Sequence, residues 1–234
     1  MSYENIVKII DSYSDKKKAV VMQGFFKTSE GEYGHGDVFL GLTVLQSRII
    51  AKKFLDLILQ DIKRLLNSKI HEHRLVALFI LVDNFNKDPE KIYNFYLENI
   101  DCVNNWDLVD LSADKIVGKY LSNKKDHSVL YSLVKSDNLW HRRISIVSTF
   151  YFIKNNSFDD TFKIAELLLN DKHDLIHKSV GWMLREVGKR SVKDLEDFLD
   201  KHSKIMPRTM LRYSIERFSD EKRIFYLNRR KESF

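Results

Sequence analysis

The sequence predicts an all-α fold of the solenoid kind, built from successive helix pairs. Three observations lead there. Along most of the 234 residues, apolar side chains recur three and four apart, the spacing that lines one face of a helix. Sustained apolar–polar alternation, which would mark half-buried strands, does not occur. Four short words also recur at an even interval: His73-Arg74-Leu75-Val76-Ala77, Trp106-Asp107-Leu108-Val109-Asp110, His141-Arg142-Arg143-Ile144-Ser145 and His177-Lys178-Ser179-Val180-Gly181, opening 33, 35 and 36 residues apart. Such a period is expected where each two-helix unit packs on its neighbours.

The helical segments follow in order. "IVKIIDSYSDKKKAVVM" reads as one helical stretch and "SRIIAKKFLDLILQDIKRLL" as a second, followed by "RLVALFILVDNF" and "PEKIYNFYLENI". "NNWDLVDLSADKIVGKYL", residues 104 to 121, continues the pattern, as do "DDTFKIAELLLN" and "DLEDFLD". The breaks "NKDP", "LSNKKDHS" and "IKNNSFDD" are short and polar. Residues 24–41 hold five of the eight glycines and read as a loop joining an N-terminal helical region to the rest.

Bulk composition narrows the class. A hydrophobic content of 44% supports a sizeable core, and two prolines with eight glycines supply no linker, so a single domain over residues 1–234 is expected. No apolar run approaches the roughly 18 residues of a membrane span. "MSYENIVKII" lacks the basic-then-apolar order of a signal peptide, and the single cysteine, Cys102, excludes an internal disulfide framework. A soluble, cytoplasmic, monomeric protein is expected. Residues 201–234 carry ten basic and four acidic residues. That segment accounts for the whole net charge of +6 and reads as basic C-terminal helices, either reaching toward a polyanion or forming a solvated mixed-charge face.

Aligning the four words isolates a set of residues. Asp110 sits where the sister words place Ala77, Ser145 and Gly181, small residues that allow close packing. Arg143 takes the register of Leu75 and Leu108, and Trp182 that of Leu78, Leu111 and Ile146. Equivalent registers of a solenoid share a surface, so an acid, an arginine and a tryptophan in these positions suit a site better than a core. Plainer readings exist for each: Asp110 paired with Lys115 or a helix N-terminus, Trp106 and Trp182 as core fillers, and Arg143 as part of a solvated face beside Arg142. Trp106 and Asp110 lie one turn apart on one helix face, an aromatic beside a carboxylate.

Other constellations are weaker. His173 and His177 stand four apart on a helix, but no third metal ligand is evident. "GEYGHG" lacks the Lys-Ser/Thr ending of a phosphate loop. Cys102, with no catalytic histidine at a suitable spacing, reads as a small buried apolar residue. No metal or cofactor is expected.

"NNWDLVD", "LWHRRISIV" and "HKSVGWMLRE" resemble, in order and spacing, segments of the bacterial AlkD-type alkylpurine DNA glycosylases, and "MQGFFKTSEGEYGHGDVFLGLTVLQSR" resembles their N-terminal segment. The resemblance implies a right-curving solenoid of about six HEAT-like repeats with a concave DNA-binding groove. It also implies base excision repair by hydrolysis of the N-glycosidic bond of cationic N3- or N7-alkylated purines in duplex DNA, without base flipping, and association with the nucleoid when engaged. Carried over by motif, Asp110 matches the catalytic carboxylate, Trp106 and Trp182 the cleft tryptophans, Arg143 and Arg185 DNA-contacting arginines, and Phe25 a third aromatic. One departure is Leu45, where the family usually has proline.

The chemistry suits these residue types. An alkylated purine leaves as a neutral base from a cation, so no general acid is required. The demand is to stabilise the positive charge that grows on the deoxyribose. Asp110 would do so and orient the attacking water, the tryptophan faces would attract the cation, and the arginines would hold phosphates. The alternative class is a non-catalytic helical-repeat protein that binds unusual DNA structures. A centrally placed carboxylate argues against it, and the Trp/Arg set argues against a protein–protein scaffold.

Overall fold

The computed structural model describes residues 1–229. The fold is all-α, and its successive helical repeats are consistent with the expected α-solenoid. The only β pairing among the described residues is an isolated parallel bridge between Val38 and Ile70. The chain divides into two compact units, Met1–Ser112 and Ala113–Phe234. The basic C-terminal segment is described only as far as residue 229, so its last five residues lie outside the described chain.

In the first unit, α1 (Tyr3–Ser12) and α2 (Lys16–Phe25) divide what the sequence pattern suggested was one stretch. Asp15 makes the break: its side chain accepts from the N–H groups of Lys17 and Lys18, a cap that starts a new helix. The next stretch also splits, into α3 (Val44–Lys53) and α4 (Leu59–Leu66), because Phe54 and Leu57 turn inward between them, each 5% exposed. At the start of α3, Thr43 and Gln46 form a reciprocal capping box. That box supplies the helix start, and Leu45 in the first turn is exposed. Helix α5 (His71–Asn84) is buried from residue 71 to residue 81 and receives α3, α4 and α1 against it. Helix α6 (Pro89–Glu98) starts with Pro89 in its first turn under an Asp88 cap.

Helix α7 (Trp106–Ala113) continues without a break into a π-helical segment, Asp114–Gly118, and α8 (Lys119–Leu121), matching the stretch read as one helix. In the second unit follow α9 (Ser128–Leu133), α10 (Leu139–Lys154), α11 (Asp159–Leu167), α12 (Asp174–Gly188), α13 (Val192–His202), α14 (Arg208–Ser214) and α15 (Asp220–Asn228). Helix α12 packs on α10, α13 and α14. Small residues permit the close crossings: a Cβ on Gly181 would lie 2.5 Å from the Tyr213 Cβ of α14.

The repeat is visible in hydrogen bonds as well as in sequence. Before α5, the Ser68 hydroxyl accepts from the Ile70 N–H at 3.1 Å and meets the His73 Nδ1 at 3.0 Å, while Arg74 donates to the Ser68 carbonyl at 2.7 Å. Two repeats later, before α10, Ser136 does the same with Asn138, His141 and Arg142, at 3.1, 3.1 and 2.8 Å. Before α12, Asp171 takes the serine's place: its side chain accepts from the His173 N–H and its carbonyl from His177. In these three words the leading histidine, joined in two of them by the arginine that follows, is a local tie that fixes how the chain enters the inner helix.

The π segment crosses α10 closely. A Cβ on Gly118 would sit 2.1 Å from the Ser148 carbonyl oxygen, and backbone cannot yield as a flexible side chain can. We expect Gly118→Ala to cost about 1 to 3 kcal/mol, read as a lowered melting temperature, whereas Gly24→Ala, with nothing within 4 Å of the added carbon, leaves the melting temperature within a degree or two.

Candidate nucleic-acid interface

In the first unit the site is assembled around the entry to α7. The Asn105 side chain accepts from the Trp106 N–H at 2.8 Å at the start of the helix. Trp106 is half-buried. Its ring lies 5.1 Å from that of Phe26, with the planes 10° apart. Phe26 stacks on Phe39 at 4.8 Å, and Phe39 stacks on the imidazole of His71 at 4.4 Å. Phe25 stands edge-on to Trp106 at 5.9 Å and is 64% exposed. Two of the sequence-predicted aromatics are thus brought together, at the exposed end of a column of rings. Asp110 follows Trp106 by one turn on α7 and is half-buried.

The inner end of the column is ionic. His71, 1% exposed, directs Nε2 at the Asp107 carboxylate at 2.8 Å and Nδ1 at the Asp37 carboxylate at 3.2 Å. Arg74 pairs with the other Asp37 oxygen at 2.7 Å, and Asn105 donates to Asp37 at 3.4 Å. A histidine facing carboxylates through both ring nitrogens satisfies both as the imidazolium. Burial alone would strip its proton, but the Asp107 charge and the hydrogen bonds to Asp107 and Asp37 raise its pKa above the ordinary 6.5. Burial likewise opposes ionisation of Asp37, and the His71 hydrogen bond with the Arg74 and His71 charges reverses that and lowers its pKa.

Beside this network the buried Glu72 carboxylate accepts from three successive backbone N–H groups, Leu40 at 3.0 Å, Gly41 at 2.7 Å and Leu42 at 3.1 Å. The turn that presents them requires glycine: Gly41 has φ +92°, and a Cβ there would lie 2.3 Å from the Asp15 carbonyl oxygen. The glycine-rich segment therefore serves as a strap, fastened to α5 by Glu72 and His71 and to α7 through Asp37. Sequence reasoning passed over Asp37, His71, Arg74 and Asp107. A signal existed in "HEHR", four polar residues opening a helix whose first eleven positions are buried.

In the second unit Trp182 and Arg185 lie on α12, both half-buried. The Trp182 ring leans on Phe150 of α10 at 5.5 Å. Arg185 pairs with Glu216. Arg143 is 5% exposed and donates to the Leu175 carbonyl in the first turn of α12. Its register is the one in which Leu75 and Leu108 are 3% and 0% exposed, so it is not on a solvated face. His173 caps α12 through Nδ1, and no cluster of three metal-binding side chains occurs among the described residues. Cys102 is half-buried, and burial raises its thiol pKa.

The sequence matches the family described as DNA alkylation repair enzyme over residues 6–218. The chain belongs to that family. Membership supports a role in DNA repair, as an enzyme acting with DNA as its partner. Among solved structures, a predicted DNA alkylation repair enzyme from Enterococcus faecalis is similar, with a TM-score of 0.71, 17% identity, and coverage of 88% of this chain and 97% of that chain; at that identity the shared feature is the fold. No curated protein matches the sequence.

The buried imidazolium has a pH signature. A raised histidine pKa contributes stability that is fully present below the unfolded value near 6.5 and is lost as pH rises through the folded value. The stability difference between the wild type and His71→Gln, measured by urea unfolding from pH 6 to 9, should therefore be largest at pH 6, on the order of 3 to 5 kcal/mol, and shrink as pH rises. A difference that grows with pH would mean that His71 is held neutral.

Proposed function

We propose that the chain is a monofunctional DNA glycosylase that hydrolyses the N-glycosidic bond of cationic N3- or N7-alkylated purines in duplex DNA. The observation that carries this reading is the placing of Asp110 one turn after the stacked Trp106 on α7. Asp110, half-buried one turn after the stacked Trp106, presents a carboxylate where a cationic sugar has an aromatic neighbour. As the bond to the charged base breaks, positive charge spreads over the deoxyribose ring oxygen and anomeric carbon. A fixed carboxylate and an aromatic face both lower the energy of that state without reorganising. The electron pair of the broken bond neutralises the base, so no side chain has to protonate it. Asp110 then accepts a proton from the water that adds to the anomeric carbon.

In this reading Trp182, propped against Phe150, offers an aromatic face to the DNA, and Phe25 extends the ring column that ends at Trp106. Arg185 contacts a backbone phosphate in exchange with Glu216. Arg143, anchored on the Leu175 carbonyl, supports that contact by fixing the first turn of α12. Recognition runs through sugar and backbone, so the lesion needs no flipping into a closed pocket.

Incubation with duplex DNA bearing a single N7-methylguanine should release free N7-methylguanine. Asp110→Asn should retain the fold and DNA binding and lose at least about a hundredfold in single-turnover excision. Uracil and 8-oxoguanine should not be released, since neutral bases need an acid to leave. Excision by Asp110→Asn at the wild-type rate would remove the proposed mechanism. Duplex binding with no base release by the wild type would favour a non-catalytic binding protein.

A further inference from the structure

We infer that Lys115 and Lys154 form a preset contact for a DNA backbone phosphate, organised by the buried Asp114; this rests on the DNA-binding reading above. Asp114 opens the π segment and is 1% exposed. One of its oxygens meets Lys115 Nζ at 3.0 Å and the other meets Lys154 Nζ at 2.7 Å. One carboxylate thus gathers two ammonium groups, and the trio carries a net positive charge. Burying Asp114 needs only one countercharge. The second is surplus to structure and is the kind of excess that an external anion relieves.

Both lysines stay reachable, with side chains 35% and 39% exposed. Each is fixed at its tip by the shared carboxylate, so an incoming phosphate would not have to order two long side chains. The Lys154 ammonium also lies 4.0 Å from the centre of the Phe150 ring, the ring that supports Trp182. The cation is therefore tied, through one aromatic ring, to Trp182, the aromatic that this unit offers to DNA. The backbone geometry serves the arrangement. A π turn carries one residue more than an α turn and occurs often at functional sites. Here Gly118 at its end lets the turn approach α10 within reach of Lys154. The pair acts by charge; neither lysine is a nucleophile toward the sugar.

The test is the salt dependence of binding to an unmodified duplex oligonucleotide. Each phosphate contact adds roughly one unit to the slope of log affinity against log salt. Lys115→Met and Lys154→Met should each lower the slope by about one and the double variant by about two, while Lys154→Arg should keep it. Each single variant leaves Asp114 one ammonium, whereas the double variant strands its charge, so adding Asp114→Asn to the double variant provides one without a stranded charge and should show the same loss of about two. Lys193→Met on α13, an exposed lysine paired with Asp197, is the comparison and should leave the slope unchanged. Slopes equal to wild type in the Lys115 and Lys154 variants, or an equal loss in Lys193→Met, would overturn the inference while leaving the glycosylase reading intact. A wild type that does not bind the duplex would overturn both. Borohydride trapping of a covalent protein–DNA adduct that disappears in Lys154→Met would show a nucleophile and overturn the assignment of the pair to charge alone.

Discussion

The first unit depends on one imidazole. His71 stands between two carboxylates that come from opposite ends of the sequence around it, Asp37 in the strap and Asp107 in α7. Without it, two buried anions would face a single arginine, and buried charge lacking a partner is among the costlier defects a fold can carry. Several features follow from this arrangement. The strap cannot lift without exposing Asp37. Helix α7 cannot rotate without taking Asp107 away from its partner. The ring of His71 is also the base on which Phe39, Phe26 and Trp106 are laid. The ionic end sets the position of the column, and the column sets the position of the tryptophan at its exposed end. A polar network at the centre of an otherwise apolar helical unit thus gives direction to a surface side chain.

Ties of this kind divide the molecule into two sorts of structure. The Ser68–His73–Arg74 and Ser136–His141–Arg142 ties are short, repeated and local; they set each inner helix independently of the others. The Asp37–His71–Asp107 clamp and the Glu72 cradle are neither repeated nor local, and the clamp supports Trp106, one of the residues proposed to act on DNA. Regular architecture is carried by the repeated ties, and the departure from regularity by the clamp. This agrees with the expectation that local rules are broken mainly at sites of function.

The same division explains what could be read in the sequence. Helical periodicity, the repeated words and the small residues at close crossings depend on spacing alone, and they were legible. The glycine cluster marked the strap, but α2 runs through Phe25, so Gly24 belongs to the helix and not to the loop. The split after Ser12 was not, because an Asp15 cap differs from a solvent-facing aspartate only by the geometry around it. Nor was the split after Lys53, where Phe54 and Leu57 are apolar in either arrangement. The burial of Arg143 was implicit in its leucine register, but a charged residue there invites a surface reading. The His71 network was hidden for a simpler reason: its members are scattered from residue 37 to residue 107, and no pattern of period joins them. Phe26 and Phe39 became interpretable only with His71, since stacking requires the third ring.

That scatter also bears on when the site comes into being. Local ties close loops of a few residues and can form as soon as their helices do. The link between Asn105 and Asp37 spans 68 positions of chain, and closing so long a loop costs entropy that the early, local contacts do not return. The Asn105–Asp37 link is therefore expected to close after the local ties. The stacked Trp106 and its carboxylate neighbour stand on contacts that span this long stretch of chain. A chain interrupted before residue 107 has been made lacks the second carboxylate of the clamp, and so lacks the surface that α7 later presents.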